Sequence, residues 1–171
     1  MIRRKTSVVI FLCSFLCFIF FSLLFHIHSK QSPEEYILKH SSGDDALSPT
    51  EFLAQEDLGD NKSLIFFINT HGRAACMVLE KELFSYKQLC SSAELYLDND
   101  AQSYLYSKYD KKNDWIVWNI IHDSQINGIM IDGKMAEIVD TAYSFKIFYV
   151  IREPLSPRTE APSYNIIYKK L

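Results

Sequence analysis

From Thr6 through Ser29 the chain carries no formal charge, so nothing in that stretch has to remain in water. Elsewhere the absences concern chemistry. Neither Cys-x-x-Cys nor His-x-x-x-His spacing occurs, which leaves zinc without a recognisable ligand set. There is no Gly-rich phosphate loop and no nucleophile elbow. The acidic pairs Asp44-Asp45, Glu56-Asp57 and Asp98/Asp100 lack the ordered spacing of a calcium loop and read as solvated turns. Lys108, Lys111 and Lys112 are interleaved with Asp110 and Asp114, so no basic stripe is present to collect phosphate backbones, and nucleic acid is not an expected partner. No repeat at a fixed period is evident. No cofactor is implied.

What is present is unevenly distributed. Six of the 12 phenylalanines lie before residue 26, while all 21 acidic residues follow the uncharged run. The 142 residues after Ser29 carry a net charge of −6 and suffice for one core, so a two-domain enzyme does not fit the length of 171.

The uncharged segment is 24 residues long, which as a helix spans roughly 36 Å against a hydrocarbon core of about 30 Å. Arg3, Arg4 and Lys5 stand immediately before it, predicting a cytoplasmic N-terminus and a translocated remainder. The expected division is a cytoplasmic N-terminus at 1–5, a transmembrane signal anchor at 6–29 in contact with membrane lipid, helical stalk or packing segments at 30–60, and a β-rich extracytoplasmic domain at 61–171. The rival reading is a cleaved secretory signal and a secreted domain. It is opposed by the length of the apolar run, by the absence of a small-x-small site, and by the bulky residues of His26-Ile27-His28-Ser29-Lys30.

Two helix starts follow. Ser32-Pro33-Glu34-Glu35 offers an N-cap Ser, Pro at the first helical position and Glu closing a capping box, which predicts a helix to about Lys39. Ser48-Pro49-Thr50-Glu51 repeats the device, with Phe52, Leu53 and Leu58 as an apolar side and Gly59 as the stop. Beyond Gly59 the pattern becomes that of strands. Leu64–Ile68 and Ala74–Leu83 flank the turn Asn69-Thr70-His71-Gly72 as a hairpin, and Phe84–Leu97 continues it. Trp115–Ile121 is the densest strand signal, Ile126–Ile131 is expected to pair back onto it, and Asp132-Gly133 is a type I′ turn signal before Met135–Val139. Phe145–Ile151, a Pro-rich excursion at 154–162 and Tyr164–Tyr168 complete the chain. The fold class expected is an N-terminal transmembrane helix followed by a mainly-β (α+β) domain, with two short helices and then about seven to eight strands in an antiparallel meander.

Candidate chemistry is thin. Cys76 and Cys90 are a candidate disulfide, closing a loop of about 15 residues worth roughly 3 kcal/mol, with two buried thiols as the alternative. A nucleophilic cysteine served by His71 or His122 sits in no local signature. Tyr104, Tyr106, Tyr109, Trp115 and Trp118 are a candidate binding surface for a cell-wall glycan or peptide, or else core.

From Trp115 to Ile151 the order of features is an apolar Trp-containing strand, a turn with Asp, an Ile-rich strand, a further turn, Met-Ala-Glu-Ile-Val and an aromatic strand. Leu64-Ile65-Phe66-Phe67 and Lys81-Glu82-Leu83-Phe84-Ser85-Tyr86 precede it. This order, over about residues 30–171, resembles small uncharacterised single-pass membrane proteins of Gram-positive, spore-forming bacteria, in which an anchor and a helical stalk precede a compact β-rich extracytoplasmic domain. The resemblance implies location and fold and supplies no catalytic residue. The functional expectation is a non-catalytic anchored domain acting through protein or cell-envelope contacts. The alternatives are a ligand-binding or sensing module and an extracytoplasmic hydrolase.

Overall fold

The computed structural model describes residues 2–28, 31–83, 85–92, 94–98, 105–108, 115–152 and 165–170; side chains within 2–10, 25–28 and 105–108 are not among what it describes. The fold is mainly β, and every strand pairing is antiparallel. Two helices, α1 (Ile2–His28) and α2 (Pro33–His40), precede the strands. Among the described residues no helix is long and apolar enough to cross a membrane. Within α1 the described side chains are those of 11–24, which cover about 21 Å.

Helix α2 starts as its sequence predicts. Ser32 Oγ accepts from Glu35 N–H while the Glu35 carboxylate accepts from Ser32 N–H, a closed capping box. It does not stand off as a stalk, for Ile37 is completely buried against the first sheet. The second expected helix is a strand, β1 (Pro49–Gly59). Its capping residues are spent elsewhere: Ser48 Oγ donates to Ser41 O and Thr50 Oγ1 to Ile68 O. A full ladder with β2 then outweighs the local helix signal, with Phe52 turned to one face of the sheet and Leu53, Ala54 and Leu58 to the core on the other. Gly59 does not end a helix. It leads into a two-residue hairpin turn at Asp60 and Asn61, whose φ values of 50° and 60° are in the left-handed region that Asp and Asn tolerate.

Sheet A is a meander of β1, β2 (Lys62–Asn69), β3 (Arg73–Lys81) and β4 (Tyr86–Ser91), with the short β5 (Leu95–Tyr96) also paired to β3. The expected β2–β3 hairpin is present, closed by Gly72 N–H donating to Asn69 O, with Gly72 at φ 69°. Sheet B has the order β10-β11-β7-β6, from β6 (Leu105–Lys108), β7 (Trp115–Ile121), β10 (Glu137–Asp140) and β11 (Lys146–Arg152). Sheet C is β12-β8-β9, from β8 (Ile126–Ile131), β9 (Lys134–Met135) and β12 (Ile166–Lys170).

Among the described residues, twelve strands in three sheets replace the seven or eight of a single meander. The expected pairing of Ile126–Ile131 with Trp115–Ile121 does not occur. Strand β7 is apolar on both faces and its two edges are taken by β11 and β6, so β8 serves instead as a cover. The Asp132-Gly133 turn is as expected, with φ of 46° and 80°, and it closes β8 on β9. Ala136 then carries the chain from sheet C to sheet B, splitting the expected Met135–Val139 strand in two. The Pro-rich stretch 154–162 lies outside the described residues.

The layers are therefore α2, sheet A, sheet B and sheet C. Between A and B lies the main core, where Trp118 is buried against Phe66 at a centroid distance of 5.3 Å, with Cys76, Val78, Ile116, Ile147 and Tyr149 around them. The outer face of sheet A (Ile65, Phe67, Ala75, Met77, Leu79) is covered by α2, Leu47 and Tyr86; that of sheet B (Val117, Ile121, Phe148, Val150) by Ile126, Ile129 and Ile131 of sheet C. Truncating Ile37 to Ala should cost about 2–4 kcal/mol by chemical denaturation, whereas Lys39→Ala, exposed on the same helix, should stay within about 0.5 kcal/mol.

Candidate functional site

The β2–β3 turn interrupts two apolar strands with Asn69-Thr70-His71-Gly72-Arg73, and the polar groups there converge on one carboxylate. Asn69 is fully buried. Its Oδ1 accepts from the N–H groups of His71 and Arg73, each at 3.1 Å, and its Nδ2 donates to Ala46 O at 3.0 Å and to Glu94 Oε1 at 2.5 Å. Glu94 also accepts from His71 Nδ1 at 2.7 Å and from Arg73 Nη1 at 2.8 Å. Arg73 Nη2 donates to the Tyr96 hydroxyl at 2.6 Å, and its guanidinium lies 4.1 Å from the centre of the Tyr96 ring. Pairing of β5 with β3 sets Tyr96 opposite Arg73.

Burial acts to raise the Glu94 pKa, but the donors His71, Arg73 and Asn69 together outweigh it and hold the carboxyl below its ordinary range. An ionised carboxylate only accepts, so His71 carries a proton on Nδ1. In the neutral imidazole Nε2 is then an acceptor, on a side chain that is 46% exposed. An oriented imidazole, a clamped guanidinium and an exposed tyrosine ring thus share one end of the sandwich.

Of the aromatic residues singled out in the sequence, Tyr106, Trp115 and Trp118 fall within the described residues. Trp118 is core rather than surface, and among the described residues its Nε1 has no hydrogen-bond partner. Trp115 is half-buried at the start of β7, next in register to Lys108. Tyr106 belongs to β6 opposite Val117. Tyr104 and Tyr109 lie outside the described residues. Of the histidines weighed as bases, His71 is bonded to Glu94, and His122 packs edge-on to Phe145. The polar cluster was missed because Glu94 is more than twenty residues from its partners and only the β3–β5 pairing delivers it. The one local sign was a polar turn between two apolar strands.

Cys76 and Cys90 are free thiols on adjacent strands. Cys90 is in register with Val78, while Cys76 exchanges hydrogen bonds with Ser92, so the two cysteines are diagonal neighbours facing the same core. Diagonal positions are about 7–8 Å apart, near or beyond the reach of a disulfide. Burial pushes the Cys76 thiol up strongly and Cys90 up to about 12, which suppresses the thiolate of both.

Elsewhere, a concave feature of about 210 Å³ opens between β1 and the β9–β11 region. Asp57, Glu137 and Lys134 line it over Leu58, Met135 and Tyr149. Lys134 Nζ donates to Ile151 O at 2.8 Å, and burial together with Glu56 and Glu137 pushes the Tyr149 phenol up to about 12.

No family model, curated protein or solved structure matches the chain.

Two outcomes test this geometry. Glu94→Gln should destabilise the protein at pH 7. Because the folded pKa is depressed, the contribution is present above the unfolded value of 4.5 and is lost as pH falls through the folded one. The gap in melting temperature between wild type and variant should therefore narrow as pH falls below the unfolded value. Separately, Cys76 and Cys90 should resist maleimide at pH 8 in the folded protein and react fully in denaturant, read by intact mass; a pair that stays blocked until reduced would show the bond formed.

Proposed function

We propose that the chain is a membrane-anchored extracytoplasmic domain, with α1 crossing the bilayer, the N-terminus cytoplasmic, and protein or cell-envelope contacts made by the sandwich end carrying His71, Arg73 and Tyr96. The observation that carries this reading is the state of α1. Phe11, Leu12, Phe15, Leu16, Phe18, Phe20, Phe21 and Leu23 are all more than half exposed. These positions run round the whole helix, so a protein partner on one side would leave the rest in water, whereas lipid covers every side. The 27-residue length of α1, the uncharged run from Thr6 and the preceding Arg3, Arg4 and Lys5 support the span and its direction.

Sheet polarity supports the choice of contact surface. The Tyr36 ring near the start of α2 lies 6.0 Å from Tyr86, beside the β3–β4 turn. Ser41 at its end meets Ser48, which accepts from Thr70 N–H at the β2–β3 turn. Helix α2 therefore runs toward the β2–β3 end of sheet A. Strand β2 has eight residues, or about 26 Å, between its two turns. With Pro33 near the anchor, the Glu94 cluster faces away from the membrane. Its side chains are fixed by bonds to one another, which favours recognition without an ordering cost.

Full-length protein should remain in the membrane fraction after an alkaline carbonate wash, and protease added to spheroplasts should digest the domain. Recovery in the soluble fraction, or a chain shortened at its N-terminus, would overturn the anchor. A photo-crosslinking residue at Tyr96 should give adducts in intact cells that one at Asn127, exposed on sheet C, does not.

A further inference from the structure

Strand β1 closes one edge of sheet A and β10 one edge of sheet B, and among the described residues each pairs with a single neighbour. A strand with one neighbour turns every second residue's N–H and C=O outward, about five residues of the eleven in β1. The two edges meet twice. Near the start of β1 the Tyr143 hydroxyl, in the β10–β11 loop, donates to the Glu51 carboxylate. Near its end the cavity of about 210 Å³ opens between Asp57 and Leu58 on one side and Glu137 on the other. Charge along this flank has one sign: Glu51, Glu56 and Asp57 lie in β1, Glu137 and Asp140 in β10, and neither strand carries a Lys or Arg. Asp140 is paired with Lys146 at 3.0 Å. Among the described residues Glu56, Asp57 and Glu137 have no ion-pair partner. Lys134 also lines the cavity, but its Nζ donates to Ile151 O.

We infer that the β1 edge docks an extended basic segment of a partner protein, which adds as a further strand outside β1 and places a Lys or Arg side chain in the cavity. Main-chain bonds to the open edge supply affinity, and the cavity supplies selectivity. The β1–β2 ladder is regular from Ala54 to Asp57, with register shifts on either side, so a short regular stretch of edge lies beside the cavity. Alternate residues of an added strand face the same way, so one residue in two turns toward the carboxylates. The cavity holds about seven waters' volume, enough for a Lys stem over Leu58 and Met135 with its ammonium between Asp57 and Glu137. Charge complementarity selects the occupant. A second copy of β1 would set carboxylate against carboxylate, and bulges and charges on an edge are the ordinary means of preventing such self-pairing. The same carboxylates attract a basic strand. This surface is separate from the Glu94 end and does not rest on the anchored reading.

The test titrates full-length protein in nonionic detergent into a fluorophore-labelled hexapeptide of alternating Lys and Val, read by anisotropy. Saturable binding is expected, weakening as salt rises because the charges are exposed. Asp57→Asn combined with Glu137→Gln should weaken it about fivefold, whereas Glu82→Gln, exposed in the β3–β4 turn, should leave it unchanged. Two further peptides, N-methylated at the Lys residues or at the Val residues, keep the charge and each lose the main-chain donors of one edge. One of the two should bind about tenfold more weakly. No saturable binding, or an equal loss in Glu82→Gln, would overturn the inference. Undiminished binding of both N-methylated peptides would show attraction between charges without an added strand, and displacement of the peptide by an equal concentration of cadaverine would show a pocket for small amines. Either result also overturns it.

Discussion

Sheets A and B are each buried on both faces, and most of the fold follows from that demand. Strands β2, β3, β7 and β11 present apolar side chains above and below the sheet: Phe66 and Phe67, Cys76 and Met77, Ile116 and Val117, Ile147 and Phe148. Joining the two sheets consumes one face of each. The remaining faces must be covered by something else in the chain, or several hundred square ångströms of apolar surface would stay in water at about 25 cal/mol per Å². Helix α2 with Leu47 covers one, and sheet C covers the other. The outer elements are short because their task is to close a face, not to build a further core.

Where the β2–β3 ladder ends, the same economy produces the polar cluster. The backbone N–H groups of the turn need acceptors, and Asn69, at the last position of β2, supplies Oδ1 to two of them. Its remaining amide protons fasten the 44–48 loop and Glu94, so one buried side chain binds three separate segments. Glu94 then fixes His71 and Arg73, and Arg73 fixes Tyr96. The rigidity of the proposed recognition end is thus inherited from satisfying a hairpin turn at the rim of a dry core.

In the proposed orientation, α2 relates the two ends of the molecule. It begins beside the proposed anchor and hands the chain to the end of sheet A near Ser48 and Thr70. A helix that covers a sheet face also sets which end of that sheet points away from the bilayer. Packing and presentation share one element.

Features that depend on neighbours in sequence were legible without a structure. The capping box at Ser32–Glu35 and the left-handed turn at Asp132-Gly133 are local hydrogen-bonding and backbone chemistry, and both are present as written. The β2–β3 hairpin and the run Trp115–Ile121 were likewise readable from residue type and period. The 49–59 segment was not, because its local signal is that of a helix start and the cross-strand pairing that overrules it lies in β2. Nor was the partner of β8: a strand apolar on both faces says that it will be covered, not by which segment. Trp118 shows the same limit, since an aromatic residue serves a surface or a core equally well until the opposing sheet arrives. Glu94 reaches Asn69, His71 and Arg73 only through a two-residue strand paired to β3. Sequence alone determined the local devices and the amount of apolar surface to be hidden; the tertiary structure decided which faces hide one another, because burial is settled between segments that sequence does not place side by side.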